Sequence, residues 1–95
     1  MKLNWSPQAI ADLEGIRRYI YGDDPQAART VVATILGIIE TQLSSYPHSG
    51  RPGRVAGTRE LVISGLPYVV PYRVTATGID ILGVYHAFRR WPDQF

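Results

Sequence analysis

The apolar period of this chain changes once, and that change limits what it can fold into. Up to Leu43 the apolar residues recur at helical spacing; from Arg59 onward they alternate at period two. Between the two lies Pro47-His48-Ser49-Gly50-Arg51-Pro52-Gly53-Arg54, two prolines and two glycines in a short run that reads as a loop. Helices first and strands afterwards predict an α+β fold, with the helices on one face of a sheet. The 95 residues suffice for one core, so residues 1–95 are read as a single domain.

Lys2 to Trp5 is expected to be a short strand. Ser6-Pro7 then reads as a helix start, Ser at the N-cap and Pro at the first helical position, where its missing N–H leaves nothing unpaired. Ala9, Leu13, Ile16 and Ile20 form the apolar stripe, and Asp12, Glu14, Arg17 and Arg18 are assigned to solvent. Gly22-Asp23 ends this helix, and Asp24-Pro25 starts the next by the same logic. Its stripe runs through Ala28, Val31 or Val32, Ile35, Ile38 or Ile39, and Leu43 toward Tyr46. So short a link makes the two helices an antiparallel hairpin.

Three strands follow: Arg59 to Ile63, Tyr68 to Val74, and Ile79 to His86, with turns at Ser64–Pro67 and Thr75–Gly78. Short turns make neighbouring strands antiparallel. The predicted order is therefore β-α-α-β-β-β, a helical hairpin on a small antiparallel sheet. Leu61, Ile63, Val70, Tyr72, Leu82 and Val84 are the sheet's core candidates; Val69 and Arg73 take the opposite face. Pro71 cannot donate to a ladder, so a bulge is expected there, or an amide position turned away from a partner.

Nine arginines stand against one lysine, and six of the nine lie after residue 47. Residues 1–47 carry four cations and five anions; residues 48–95 carry six cations and three anions. This asymmetry points either to an acidic partner for the second half or to a basic surface that is simply solvated. The chain has no cysteine, which excludes disulfides and Cys-based metal or nucleophilic chemistry and fits a reducing cytoplasm. The start of the chain has no signal-peptide pattern, and Val31–Ile39, the longest apolar stretch, is broken by Thr34 and Gly37, so no membrane role is expected.

Several fragments, in order, carry a family resemblance: Trp5-Ser6-Pro7, Asp12-Leu13, Tyr19-Ile20, Pro25, Ala27-Ala28, Gly50-Arg51-Pro52-Gly53-Arg54, Gly57-Thr58-Arg59-Glu60-Leu61, Pro67-Tyr68, Tyr72-Arg73-Val74, His86 and Arg89-Arg90-Trp91-Pro92. Nearly the whole chain resembles the RelE/ParE superfamily of toxins from type II toxin–antitoxin modules, in its ParE-like branch. The resemblance implies a growth-inhibiting cytoplasmic toxin, of the kind associated with plasmid stabilisation, held silent in a hetero-oligomer with its cognate antitoxin. That antitoxin is expected to be acidic, partly disordered and DNA-binding. ParE-like members act on DNA gyrase and block replication; RelE-like members cut messenger RNA in the ribosome. The ribonuclease branch places an Arg in the strand that is here Tyr68–Val74, and Val69 stands at that position.

Metal-free RNA cleavage needs a base, an acid and a cation for the phosphorane. His86 is the surviving titratable candidate, with Arg59 and Arg73 as phosphate binders; otherwise no catalytic residue is expected, and neither cofactor nor metal. The candidate contacts to target or antitoxin are Arg51, Arg54, Arg59, Arg73, Arg89, Arg90 and Trp91. Gly50 to Arg54 reads as a flexible connector, and Glu60 as a cross-strand partner of an arginine such as Arg73. Phe88 and Trp91 either contact a partner or cover the sheet edge. Three functional readings follow: a gyrase inhibitor, a ribosome-dependent endonuclease, or a toxin-fold protein that only binds its antitoxin.

Overall fold

The computed structural model describes residues 2–88. Strand β1 (Lys2–Trp5) leads into helix α1 (Pro7–Tyr21) and helix α2 (Pro25–Ser45). Strands β2 (Arg51–Pro52), β3 (Arg59–Val62), β4 (Tyr68–Val74), β5 (Gly78–Ile81) and β6 (Tyr85–His86) follow. The sheet order is β1-β5-β4-β3-β2, with β6 also paired to β4.

Both helix starts form as their sequences dictate. Ser6 Oγ accepts the Ala9 N–H, and Asp24 Oδ1 accepts the N–H groups of Gln26 and Ala27; a proline opens each helix. Ala28, Ile35, Ile39 and Leu43 of α2 are fully buried, as is Ala9 of α1, and Leu13 and Ile16 pack beside them. Tyr46 does not extend the stripe: it caps α2 and is 67% exposed.

The sheet is mixed rather than wholly antiparallel. β1 runs parallel to β5, Lys2 opposite Gly78 through Trp5 opposite Ile81. Short turns constrain only strands that follow one another, and the strand beside β1 is not its neighbour in sequence. The β3–β4 connection is a tight turn with Leu66 N–H on Ile63 O at 3.3 Å and Gly65 at φ +80°, the left-handed third position that a glycine fills without strain.

Pro71 shapes the other side of β4. Tyr72 stands opposite Ile81 and Val69 opposite Tyr85, so Leu82, Gly83 and Val84 face only Val70 and Pro71. This is the expected bulge, but it lies in the strand beside the proline. The pair Ile63–Tyr68 is hydrogen-bonded, so residues 69, 71 and 73 direct their backbone groups toward β5 and β6. Pro71 O accepts the Leu82 N–H at 3.0 Å, and the Leu82 carbonyl, which an amide at 71 would have met, accepts Ser6 Oγ at 3.3 Å.

The bulge splits the predicted Ile79–His86 strand into β5 and β6 and resets its alternation. Ile79, Ile81 and Val84 are buried in the core with Leu61, Ile63, Val70 and Tyr72; Leu82 is only half-buried and lies outside it. Val69 is buried yet is not part of that core cluster, as befits the face opposite the helices.

In mid-α2, a Cβ added to Gly37 would meet nothing within 4 Å. Gly37→Ala is therefore expected to stabilise the fold by about 0.8–1 kcal/mol through helix propensity alone. Urea denaturation measures this, and a loss of stability would show that Gly37 has a packing role.

Candidate functional site

The sheet strands set the arginines apart. Arg59 is paired directly with Tyr72, whose side chain lies in the core, so Arg59 points to the helix side of the sheet and not to its outer surface. There its Nη1 donates to the carbonyls of His48 and Gly50, at 3.1 and 2.9 Å. Tyr72 Oη accepts the Gly50 N–H at 2.8 Å, so both backbone groups of Gly50 are held. The approach is close: a Cβ on Gly50 would stand 2.6 Å from Tyr72 Oη and 2.9 Å from the Glu60 carbonyl.

Glu60 alternates to the other face, and its side chain is only 4% exposed. Its partners are not Arg73. Arg51 Nε and Nη2 lie 3.1 Å from Oε1, Arg54 Nε lies 3.5 Å from Oε2, and the Arg54 backbone N–H donates to Oε2 at 2.8 Å. One buried carboxylate thus gathers two half-exposed guanidiniums. The segment read as a flexible connector is instead strand β2 and a loop clasped to β3. Arg73 lies on β4 opposite Asp80, which accepts Asn4 Nδ2 at 3.3 Å.

His86 is half-buried beside Tyr68, ring centroids 5.8 Å apart and edge to face, and its Nδ1 accepts the Phe88 N–H at 3.3 Å. Tyr68 and Tyr72 are four positions apart on β4, about 13 Å along the strand. His86 and Arg59 are therefore at opposite ends of β4, and Arg73 is on its other face. The three residues that a nuclease would need do not converge. Phe88 is 88% exposed; Arg89, Arg90 and Trp91 lie outside the described residues.

The surroundings of His86 hold a residue whose placement was not foreseen. Asp12 is half-buried, and its Oδ2 accepts the N–H of Val84, an amide that the bulge removes from the ladder, at 3.1 Å. Asp12, Tyr68, Tyr85 and His86 line a cleft of about 630 Å³ between α1 and β6, with Val84 at its floor. Burial, and secondarily the Asp12 charge, push the Tyr85 hydroxyl above its ordinary value. Because the raised group belongs to the folded state, its contribution to stability is complete below the ordinary tyrosine range. It is lost as pH rises through the folded value. Tyrosine difference spectra against Tyr85→Phe should show Tyr85 ionising above the ordinary tyrosine range. Asp12→Asn should move it only part of the way back, and a complete return would contradict burial as the larger cause.

A second, apolar groove of about 410 Å³ lies between the helices, beside β1. Trp5, Leu13 and Val32 line it, with Ile10 and Leu36 at 57% and 39% exposure. At its rim Arg17 is bonded to Glu14, which holds the Glu14 carboxyl below its ordinary value.

The described residues thus form a two-helix hairpin on a small mixed sheet, with a clasped arginine loop and an open apolar groove. Residues 3–91 match the sequence model of the family described as "ParE toxin of type II toxin-antitoxin system, parDE". The chain is 46% identical to "Putative toxin Y4kP" of Sinorhizobium fredii, over 96% of this chain and 93% of that one. It is 39% identical to "Toxin RelE2" of Caulobacter vibrioides, over 90% and 93% of the two chains. A solved structure titled "Chromosomal ParDE TA system from P. aeruginosa" superposes with a TM-score of 0.82 at 31% identity, covering 90% of this chain and 95% of the other. The chain belongs to the ParE toxin family of type II toxin–antitoxin systems. Among its described residues no helix is long and apolar enough to cross a membrane.

Proposed function

We propose that this toxin inhibits DNA gyrase without itself being an enzyme, and that a cognate antitoxin neutralises it in the cytoplasm. Family membership supports the class of target, and the separation of Arg59, Arg73 and His86 carries the choice against RNA cleavage. Arg59 is engaged with backbone carbonyls, and Val69 offers no charge where the nucleases carry an arginine. Arginines alone bind a polyanion; cleavage needs an acid and a base beside them.

The antitoxin occupies the groove lined by Trp5, Ile10 and Leu36, where an amphipathic helix buries its apolar side, and can add a strand along the open edge of β1. An acidic stretch beyond that helix meets the arginine-rich second half and speeds association. Inducing the toxin alone in cells tests the reading. Filamentation with a DNA-damage response is expected. Arrested translation with cut transcripts would favour an endonuclease instead, and unimpaired growth would favour a protein that only binds its antitoxin.

A further inference from the structure

Arg59 is held through one nitrogen of its guanidinium. Nη1 donates to the carbonyls of His48 and Gly50, while Nε and Nη2 have no partner among the described residues. No buried side-chain nitrogen among those residues lacks a partner, so this half-buried group turns its Nε and Nη2 to solvent. Four other arginines have found acids: Arg17 and Arg18 share Glu14, and Arg51 and Arg54 share Glu60. Among the described residues no carboxylate forms an ion pair with Arg59.

The open edge is fixed in place. Tyr72 Oη, in the core, accepts the Gly50 N–H, so the carbonyl that receives Nη1 is itself anchored. A guanidinium is rigid and flat, and two bonds to one of its nitrogens set its plane. The Nε–H and the outer Nη2–H then point the same way, side by side, and match the two oxygens of a carboxylate. A side chain already ordered loses little freedom when it binds. The turn that holds it lies at the surface: Tyr46 is 67% exposed, and His48 and Ser49 are exposed.

Charge selects the occupant. A nucleic-acid backbone is met by a succession of cations. Arg59 has no such succession beside it, because Arg51, Arg54 and Arg73 direct their charges to the opposite face of the sheet. One flat fork with a single positive charge fits one carboxylate.

We propose that the Nε–Nη2 edge of Arg59 receives the carboxylate of one aspartate or glutamate side chain of a protein partner, as a bidentate ion pair. The proposal stands whether or not gyrase is the target.

The test is an NMR titration of the full chain at constant ionic strength, followed at the arginine Nε–Hε signals. The probes are N-acetyl-glutamate amide, its neutral isostere N-acetyl-glutamine amide, and dimethyl phosphate, a phosphodiester of the same charge as the glutamate. The Arg59 signal is expected to shift saturably with the glutamate probe, half-complete near about 0.1 M, as befits one bidentate pair open to water. Arg73, which has no side-chain partner to fix it among the described residues, should shift at least about threefold less. Glutamine should give no saturable shift, and dimethyl phosphate, whose oxygens are less basic, should bind more weakly. Arg59→Lys keeps the charge without the fork and should lose the accompanying amide shifts at Ser49 and Gly50. The comparison of Arg59 with Arg73 is made within the parent chain, so it decides the matter even if that variant fails to fold. An Arg59 shift no larger than that of Arg73, equal shifts from glutamate and glutamine, tighter binding of dimethyl phosphate, or undiminished amide shifts in Arg59→Lys would each overturn the proposal.

Discussion

Replacing Arg51 and Arg54 together with alanine is expected to lower the stability of the fold by about 3–5 kcal/mol, because it leaves the buried Glu60 carboxylate without a counter-charge. Typical domains hold only about 5–15 kcal/mol, so this loss would bring the chain close to unfolding. The reverse change is milder. Glu60→Gln leaves two guanidiniums that are about half exposed, at 54% and 48%, and can be hydrated where they stand. The glutamine carbonyl can still accept the Arg54 N–H, so the cost is about 1–2 kcal/mol. Adding Glu60→Gln to the double arginine variant should then restore most of what that variant lost. Urea denaturation of the four proteins checks this ordering. A double arginine variant within about 1 kcal/mol of the parent would show that the clasp does not stabilise the fold.

The second large effect centres on Tyr72, the largest fully buried side chain among the described residues. Tyr72→Ala removes a ring from the middle of the core and is expected to cost about 3–5 kcal/mol. Tyr72→Phe keeps the ring and removes only the acceptor of the buried Gly50 N–H, at an expected cost of about 1–3 kcal/mol. The phenylalanine variant should also loosen the loop that carries Arg51 and Arg54, since Arg59 alone would then hold Gly50. Amide hydrogen exchange at residues 50–54 reads this directly. Unchanged exchange there in Tyr72→Phe would mean that the hydroxyl does not order the loop.

Much of the fold was legible in local chemistry. The paired cap-and-proline signals at Ser6-Pro7 and Asp24-Pro25 placed both helix starts, and the stripes through Leu13 and Ile39 identified the inward faces. Pro71 announced a break in the ladder. What it did not announce was that the neighbouring strand would take up the extra residue. That one insertion reverses alternation after Ile81, which is why Leu82 was assigned to the core and Ile79 and Ile81 were not. The parallel pairing of β1 depends on contacts between distant segments, which no local pattern encodes.

The candidate site was less legible, for two reasons. The inward position of Arg59 was available in the alternation, since Arg59, Leu61 and Ile63 share one face, although a charged side chain on the helix-facing side runs against the usual pattern. The destinations of Arg51 and Arg54 were not available, because they depend on how a loop folds back over Glu60. Asp12 was assigned to solvent by helical spacing. It turns inward because the bulge presents it with an unpaired amide from a segment 72 residues away.

Gyrase inhibition is the central claim, and its most direct measurement is a supercoiling assay with purified toxin, gyrase, relaxed plasmid and ATP. The account predicts loss of supercoiling at micromolar toxin, and recovery when the cognate antitoxin is added. Supercoiling and gyrase-mediated DNA cleavage that remain unaltered at those concentrations would contradict it.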